Sequence, residues 1–172
     1  MTQIIQVAFD AIESNAGRIP SSPAPFAVGG YINGANTSFI WSSATWARFP
    51  GSYHMRINVT GDPSRGDVLD VETFDATPNN VAPWIVTRAK STPKPLIVYC
   101  NRSNLDACVA ARNEAQKQCG RYAFIWCATL DGTLSGRAMT QVAQVSDTRG
   151  VFADLSVIQD RRLLEAMAAH LG

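Results

Sequence analysis

Two carboxylates stand two residues apart in the stretch Gly66-Asp67-Val68-Leu69-Asp70-Val71-Glu72-Thr73-Phe74-Asp75. A strand alternates its side chains between two faces, so Asp70 and Glu72 point one way and Leu69 and Val71 the other. At roughly 3.3 Å per residue the two acids lie about 7 Å apart. Like charges on an apolar strand are costly unless they are solvated, paired or share one proton. An edge strand that turns both acids to water meets the first condition. Crowding and partial desolvation instead raise the pKa of one of the pair and favour its protonated form. The segments packed around this strand decide between the two.

The 172 residues predict one domain, 1–172, with a substantial core. Apolar residues make up 46% and charged residues 17%, a balance that argues against a disordered or coiled-coil chain. The formal charge of +1 gives no electrostatic case for nucleic acid or an anionic membrane as partner. Residues Met1 to Asp10 lack a basic region, a long apolar run and a cleavage site, so the expectation is a soluble chain made in the cytoplasm without a signal peptide. No apolar run reaches the length of a membrane span. Cys100, Cys108, Cys119 and Cys127 form no C-x-x-C pair, and Cys108 and Cys119 fall on one helix, so all four read as reduced, packed thiols. With His54 and His170 the only histidines, no histidine-rich zinc site can be assembled.

Apolar runs place the elements that must position the acids. Strands are predicted at Gln3–Asp10, Phe26–Tyr31, Ser52–Val59, the acidic stretch itself, Leu96–Cys100, Ala123–Ala128, Gln141–Ser146 and Val151–Leu155. Gly29 and Gly30 in the second strand allow a close approach to the backbone. Helices are predicted from an Asn79 or Asn80 cap to Lys90, from Leu105 to Cys119 with Gly120 as its stop, and from Asp160 to Leu171. The last of these turns Leu163, Leu164, Met167 and Leu171 inward. Residues 36–48 read as either a short helix or an irregular cover over the core. The fold class is therefore α/β: a small, irregular TIM-type (β/α) barrel with fewer helices than strands.

The strand ends of a barrel converge on one mouth. Asp10 ends the first strand, Asp70 and Glu72 lie on the fourth, and Asp154 lies on the eighth, so four carboxylates are predicted to gather there, at the C-terminal ends of the strands. Trp41, Trp46 and Trp84 read first as core residues, while Trp126, near a strand end, has the best claim to the cleft. His54 either orients a carboxylate or packs uncharged.

The ordered motifs Phe9-Asp10, Tyr53-His54-Met55-Arg56, Leu69-Asp70-Val71-Glu72, Ile97-Val98-Tyr99, Ile125-Trp126-Cys127-Ala128, Gln144-Val145-Ser146 and Asp154-Leu155-Ser156 resemble glycoside hydrolase family 25. They also resemble the related actinobacterial glycoside-hydrolase-like barrel domains. The family consists of lysozyme-type muramidases, common among phage endolysins, that cut the β-1,4 bond between N-acetylmuramic acid and N-acetylglucosamine. The resemblance implies Glu72 as general acid, with Asp70, Asp10 and Asp154 as the other catalytic carboxylates. The candidate substrate-binding residues are Tyr31, His54, Tyr99, Trp126 and Gln144. No cofactor and no metal are implied, and the partner is the peptidoglycan glycan strand, bound by a monomer that acts after release from the cell or as part of a virion. The positive charge in the transition state is met by a carboxylate or by the substrate's own N-acetyl group. The chain departs from the family on the seventh strand, where Ala143-Gln144-Val145 replaces Trp-Gln-Tyr, and at Asp154-Leu155-Ser156, where the family has Asp-x-Asn. Two other readings stay open: a non-catalytic wall-binding or virion barrel that lost turnover, and a divalent-metal phosphodiesterase.

Overall fold

Strands of four to nine residues, of which Val68–Val71 and Ala123–Ala128 are buried throughout, need a filled interior on one side and a cover on the other. In the computed structural model, which describes residues 6–171, they obtain both by closing into a barrel. The strands are β1 (Gln6–Ala11), β2 (Ala27–Tyr31), β3 (Tyr53–Asn58) and β4 (Val68–Val71). They continue with β5 (Leu96–Asn101), β6 (Ala123–Ala128), β7 (Met139–Asp147) and β8 (Gly150–Ile158). The start of the first strand expected at Gln3–Ile5 lies outside the described residues. Among the described residues five helices accompany them: α1 (Glu13–Ala16), α2 (Ser43–Trp46), α3 (Pro78–Ala89), α4 (Leu105–Cys119) and α5 (Arg161–Ala168).

The strands follow one another in sequence order around the barrel. β1 to β7 run parallel, but β8 is antiparallel to both β7 and β1, so the barrel departs from a uniform (β/α) repeat at its last strand. The reason is chain length. Only Thr148 and Arg149 separate β7 from β8, whereas a parallel return needs a crossover of about a dozen residues.

Tyr53, Met55, Ile57, Val68, Ile97, Trp126 and Met139 fill the interior. Outside, α3 and α4 cover β4 to β6 through Val81, Trp84, Ile85, Cys108 and Ala115. Trp41, Phe49 and Ile19 cover the β1–β2–β8 side. What approaches the second-strand glycines is Trp41: a Cβ on Gly30 would lie 2.3 Å from its ring, and the indole N–H donates to Ala11 O at 2.7 Å. All four cysteines are free, and Cys100, Cys108 and Cys127 are buried.

Some boundaries move. The N-cap of α3 is Thr77, not Asn79 or Asn80. Asn80 instead reaches back, its Oδ1 accepting from the Thr77 N–H at 2.8 Å. α4 stops at Gly120, where φ is +71°, a conformation glycine adopts without a Cβ penalty. α5 ends at Ala168 and buries Leu163, Leu164 and Met167; Leu171, beyond it, is exposed. Residues 36–48 contain a 3-10 turn at Thr37–Phe39 and the single turn of α2.

Candidate functional site: a carboxylate cluster at the barrel mouth

Strand register brings the acids together. Asp10 is paired with Asp154 of β8 on one side and with Gly29 of β2 on the other. A Cβ at position 29 would lie 2.7 Å from the Asp10 Cβ, so glycine there makes room for the acid. Asp70 is paired with Tyr99, and Tyr99 with Trp126. Asp10, Asp70, Glu72 and Asp154 line one cavity of about 50 Å³ with Tyr31, Ile57, Tyr99 and Trp126. Asp154 arrives differently from the expectation. Because β8 is reversed, it reaches this mouth from mid-strand rather than from a C-terminal strand end.

The acids differ in depth. Asp10 and Asp70 are 6% and 4% exposed, whereas Glu72, just past the end of β4, and Asp154 are half-buried. Among the described residues, Asp10, Asp70 and Asp154 each keep one carboxyl oxygen with no hydrogen-bond partner. Burial pushes Asp10 well above the usual carboxylate range, with Asp154, Asp70 and Glu72 adding repulsion. Asp70 is pushed well up by burial and by Glu72, Asp75 and Asp154. Glu72 is also raised by burial, opposed by the hydrogen bond from Tyr99. Asp154 is raised by burial, while the side chains of Gln144 and Gln141 hold it down.

These directions set a pH dependence. A carboxyl raised on folding contributes stability that is fully present below its unfolded pKa, about 4, and lost as pH rises through the folded value. The surface groups Asp131, held down at about 2 by Thr133 and Arg102, and Asp147, held lower still by Arg149 and Arg18, titrate below that window. Urea unfolding is therefore expected to show stability falling from about pH 4 toward neutrality. Asp70→Asn should flatten that slope and unfold at higher urea near neutral pH. A wild-type stability that rises over this range would contradict the desolvated cluster.

The other candidate binding residues separate. Tyr31 and Tyr99 line the cavity. Trp126 lines it too, but as floor: it is 1% exposed, and its indole N–H donates across the barrel to Ser156 Oγ at 3.0 Å. No face of it is open for stacking. His54 is outside the barrel. Tyr53, Met55 and Ile57 take the inward face of β3, so alternation sends His54 outward, where it lies 4.9 Å from the Trp46 ring and 2.9 Å from Phe49 O. Tyr53 opens β3 at the opposite end from the acids. Gln144 pairs with Asp154 but is exposed.

Sequence reasoning missed Gln141. It is 2% exposed, and its Oε1 lies 2.6 Å from the Tyr99 hydroxyl. A bulge at Val142 lets Gln141 and Gln144, three residues apart, oppose Ser156 and Asp154 on one face of β8. Nothing in the residue types announces that bulge.

The mouth also opens sideways. A cavity of about 140 Å³ runs past Asp10 and Asp154 to Asn15 and Phe152. Another of about 520 Å³ is lined by Asn33, Phe39, Thr60, Phe74 and Asp75. Tyr31 borders all three spaces. Phe74 is fully exposed and holds a φ of +76°, a costly conformation for a bulky residue. An exposed ring at a strained position beside a cavity is what a stacking contact would use.

No family model matches this chain, and no curated protein does. In fold it is similar to an uncharacterized B. stearothermophilus protein whose crystal structure was determined at 1.07 Å. The two agree with a TM-score of 0.56 over 93% of this chain and 98% of that one, at 16% identity. The likeness is one of fold alone.

Chemically, the cluster is a graded set of acids. Asp10 and Asp70 are pushed furthest toward the protonated form, whereas the amide side chains of Gln144 and Gln141 offset part of the effect of burial on Asp154. Glu72 stands at the open side, where an acid can meet a substrate.

Proposed function

We propose that the protein is a peptidoglycan glycosidase of the muramidase type, with Glu72 as its general acid. The observation that carries the reading is the position of Glu72: half-buried, raised in pKa by burial, and at the edge of a carboxylate cavity that adjoins two lateral grooves. Glycoside cleavage needs a protonated carboxyl beside the leaving oxygen and a negative group near the anomeric carbon. Glu72 supplies the first and Asp154 the second.

Tyr99 adjusts to the proton. Its hydroxyl lies 3.1 Å from Glu72 Oε1 and 2.6 Å from Gln141 Oε1. It donates to Glu72 while that group is ionised, and is free to donate to Gln141 once Glu72 carries the proton. The cavity of about 50 Å³ is too small for a sugar ring, so the glycan lies across the mouth in the grooves. Phe74 and Phe39 there offer apolar surface to sugar faces. Asp154 either contacts the anomeric carbon or orients the substrate's N-acetyl group. The partner in this reading is the glycan strand of the cell wall, reached after release or from a virion.

The test is digestion of purified cell walls with and without a chelator, followed by mass analysis of the reduced fragments. New reducing ends on muramic acid, insensitive to chelation, are the expected result. Ends on glucosamine would reassign the bond. No release from any wall would favour a barrel without turnover, and chelator-sensitive release a metal-dependent hydrolase.

A further inference from the structure

We propose that the opposite end of the barrel carries a binding site for a phosphate monoester. The segments that enter β6 and β7 and leave β8 surround a cavity of about 330 Å³ there, lined by Arg112, Tyr122, Arg137, Gln159, Asp160 and Arg162. Three guanidiniums face one carboxylate.

That carboxylate is already engaged. Asp160 caps α5 and accepts from Arg162 Nη2 at 2.6 Å and from Arg162 Nε at 3.1 Å. Arg112 is 9% exposed, yet its partners are neutral: Nε donates to Asn113 Oδ1 at 2.9 Å and Nη1 to Ala123 O at 3.1 Å. Among the described residues no carboxylate lies within 4.0 Å of Arg112 or Arg137, and the Arg137 guanidinium donates no hydrogen bond. A buried cation with only neutral partners is costly, and an anion brought beside it removes that cost.

The geometry is also prepared. The Arg112 and Arg162 Cζ atoms lie 4.7 and 5.2 Å from the Tyr122 ring centroid, and Phe124 holds that ring edge-on at 5.1 Å. The buried Arg112 guanidinium is thus held in place before any ligand arrives, and guanidinium groups match the oxygens of phosphate. Three positive charges against one negative leave a surplus of two, the charge a phosphate monoester approaches above its second pKa of about 6. The space of about 330 Å³ leaves room beside a bound phosphate for a further group on the same molecule. The polar side chains around it select a hydrophilic one, such as a polyol. The site lies apart from the carboxylate cluster and does not depend on the glycosidase reading.

Calorimetric titration of the full chain, above the second phosphate pKa and at constant ionic strength, decides the matter. The probes are inorganic phosphate, glycerol phosphate, and a poly(glycerol phosphate) whose phosphates are diesters. Glycerol phosphate is expected to bind most tightly. Arg137→Gln, which removes a fork with no structural partner among the described residues, should weaken it by at least about tenfold, as loss of a charged hydrogen bond does, at unchanged melting temperature in chloride. Absence of binding, or equal binding by the variant, would overturn the site. Tighter binding of the diester polymer would overturn its assignment to a monoester. Arg112→Lys, which keeps the charge but loses the fork, should fall between wild type and Arg137→Gln; undiminished affinity in that variant would also count against the arrangement.

Discussion

Exchanging Glu72 for glutamine is expected to lower glycan cleavage by at least about 10², the lower end of what general acid–base assistance supplies. Melting temperature should hold or rise. The amide keeps the size of the side chain and a partner for the Tyr99 hydroxyl, 3.1 Å from Oε1, but it cannot protonate a leaving oxygen. Folded Glu72 has a raised pKa, first from burial and then from Asp75 and Asp154. Its ionised form therefore destabilises the fold above that pKa, and removing it relieves the strain there. A structural acid behaves oppositely: stability falls, and activity falls only with the folded fraction. A destabilised, still active Glu72→Gln would end the catalytic assignment. Both quantities are read from one purified variant, by wall digestion and by thermal unfolding.

Asp67→Asn is expected to produce the largest loss of stability from a single polar change. Asp67 is fully buried at the entry to β4. Its Oδ2 accepts from Arg56 Nε at 2.8 Å and its Oδ1 from Arg56 Nη2 at 3.1 Å. Arg88 Nη2 lies 3.6 Å away and Lys94 Nζ 3.8 Å away. Arg88 cannot turn to water, since its side chain is 8% exposed and donates to Gly66 O at 2.9 Å. Removing one partner of a buried pair strands the other charge and costs about 3–5 kcal/mol. For a chain of this size that lowers the melting temperature by about 6–20 °C. Arg56→Gln should cost far less, because that side chain is 44% exposed and its pair is screened by solvent. Equal effects of the two substitutions would mean that the network is not the anchor of β4.

The pattern of short apolar runs was enough to place all eight strands and the long helix ending at Gly120, because local periodicity and a left-handed stop leave their mark in residue types. The direction of β8 does not show in its own residues, since alternation reads the same in both directions. Its signal lay in the short gap between the last two strands, too short for a crossover. The choice between cleft and packing for His54 stays open in the sequence for a related reason. Its strand alternates cleanly, and Arg56 on the same face already points away from a small, filled interior. Gln141 was hidden by a bulge, and Phe74 by its position in a turn, where periodicity says nothing about side-chain direction. The gathering of Asp10, Asp70, Glu72 and Asp154 followed from strand order alone. Their unequal burial did not, because depth depends on where each strand ends.

The reversed eighth strand also orders events in time. Until the β7–β8 hairpin closes onto β1, β1 and β8 each present an unpaired edge, the kind of surface that joins strands of other chains. These contacts link residues 6–10 with residues 154–158, and such long sequence separations make closure slow. Asp10 precedes Asp154 by most of the barrel, so the cluster comes together only when the β7–β8 hairpin folds back onto β1. Mutual repulsion among the acids is thereby deferred to the closing step. Mild acid is therefore expected to speed refolding by neutralising them, and a refolding rate no faster in mild acid than at neutral pH would contradict this.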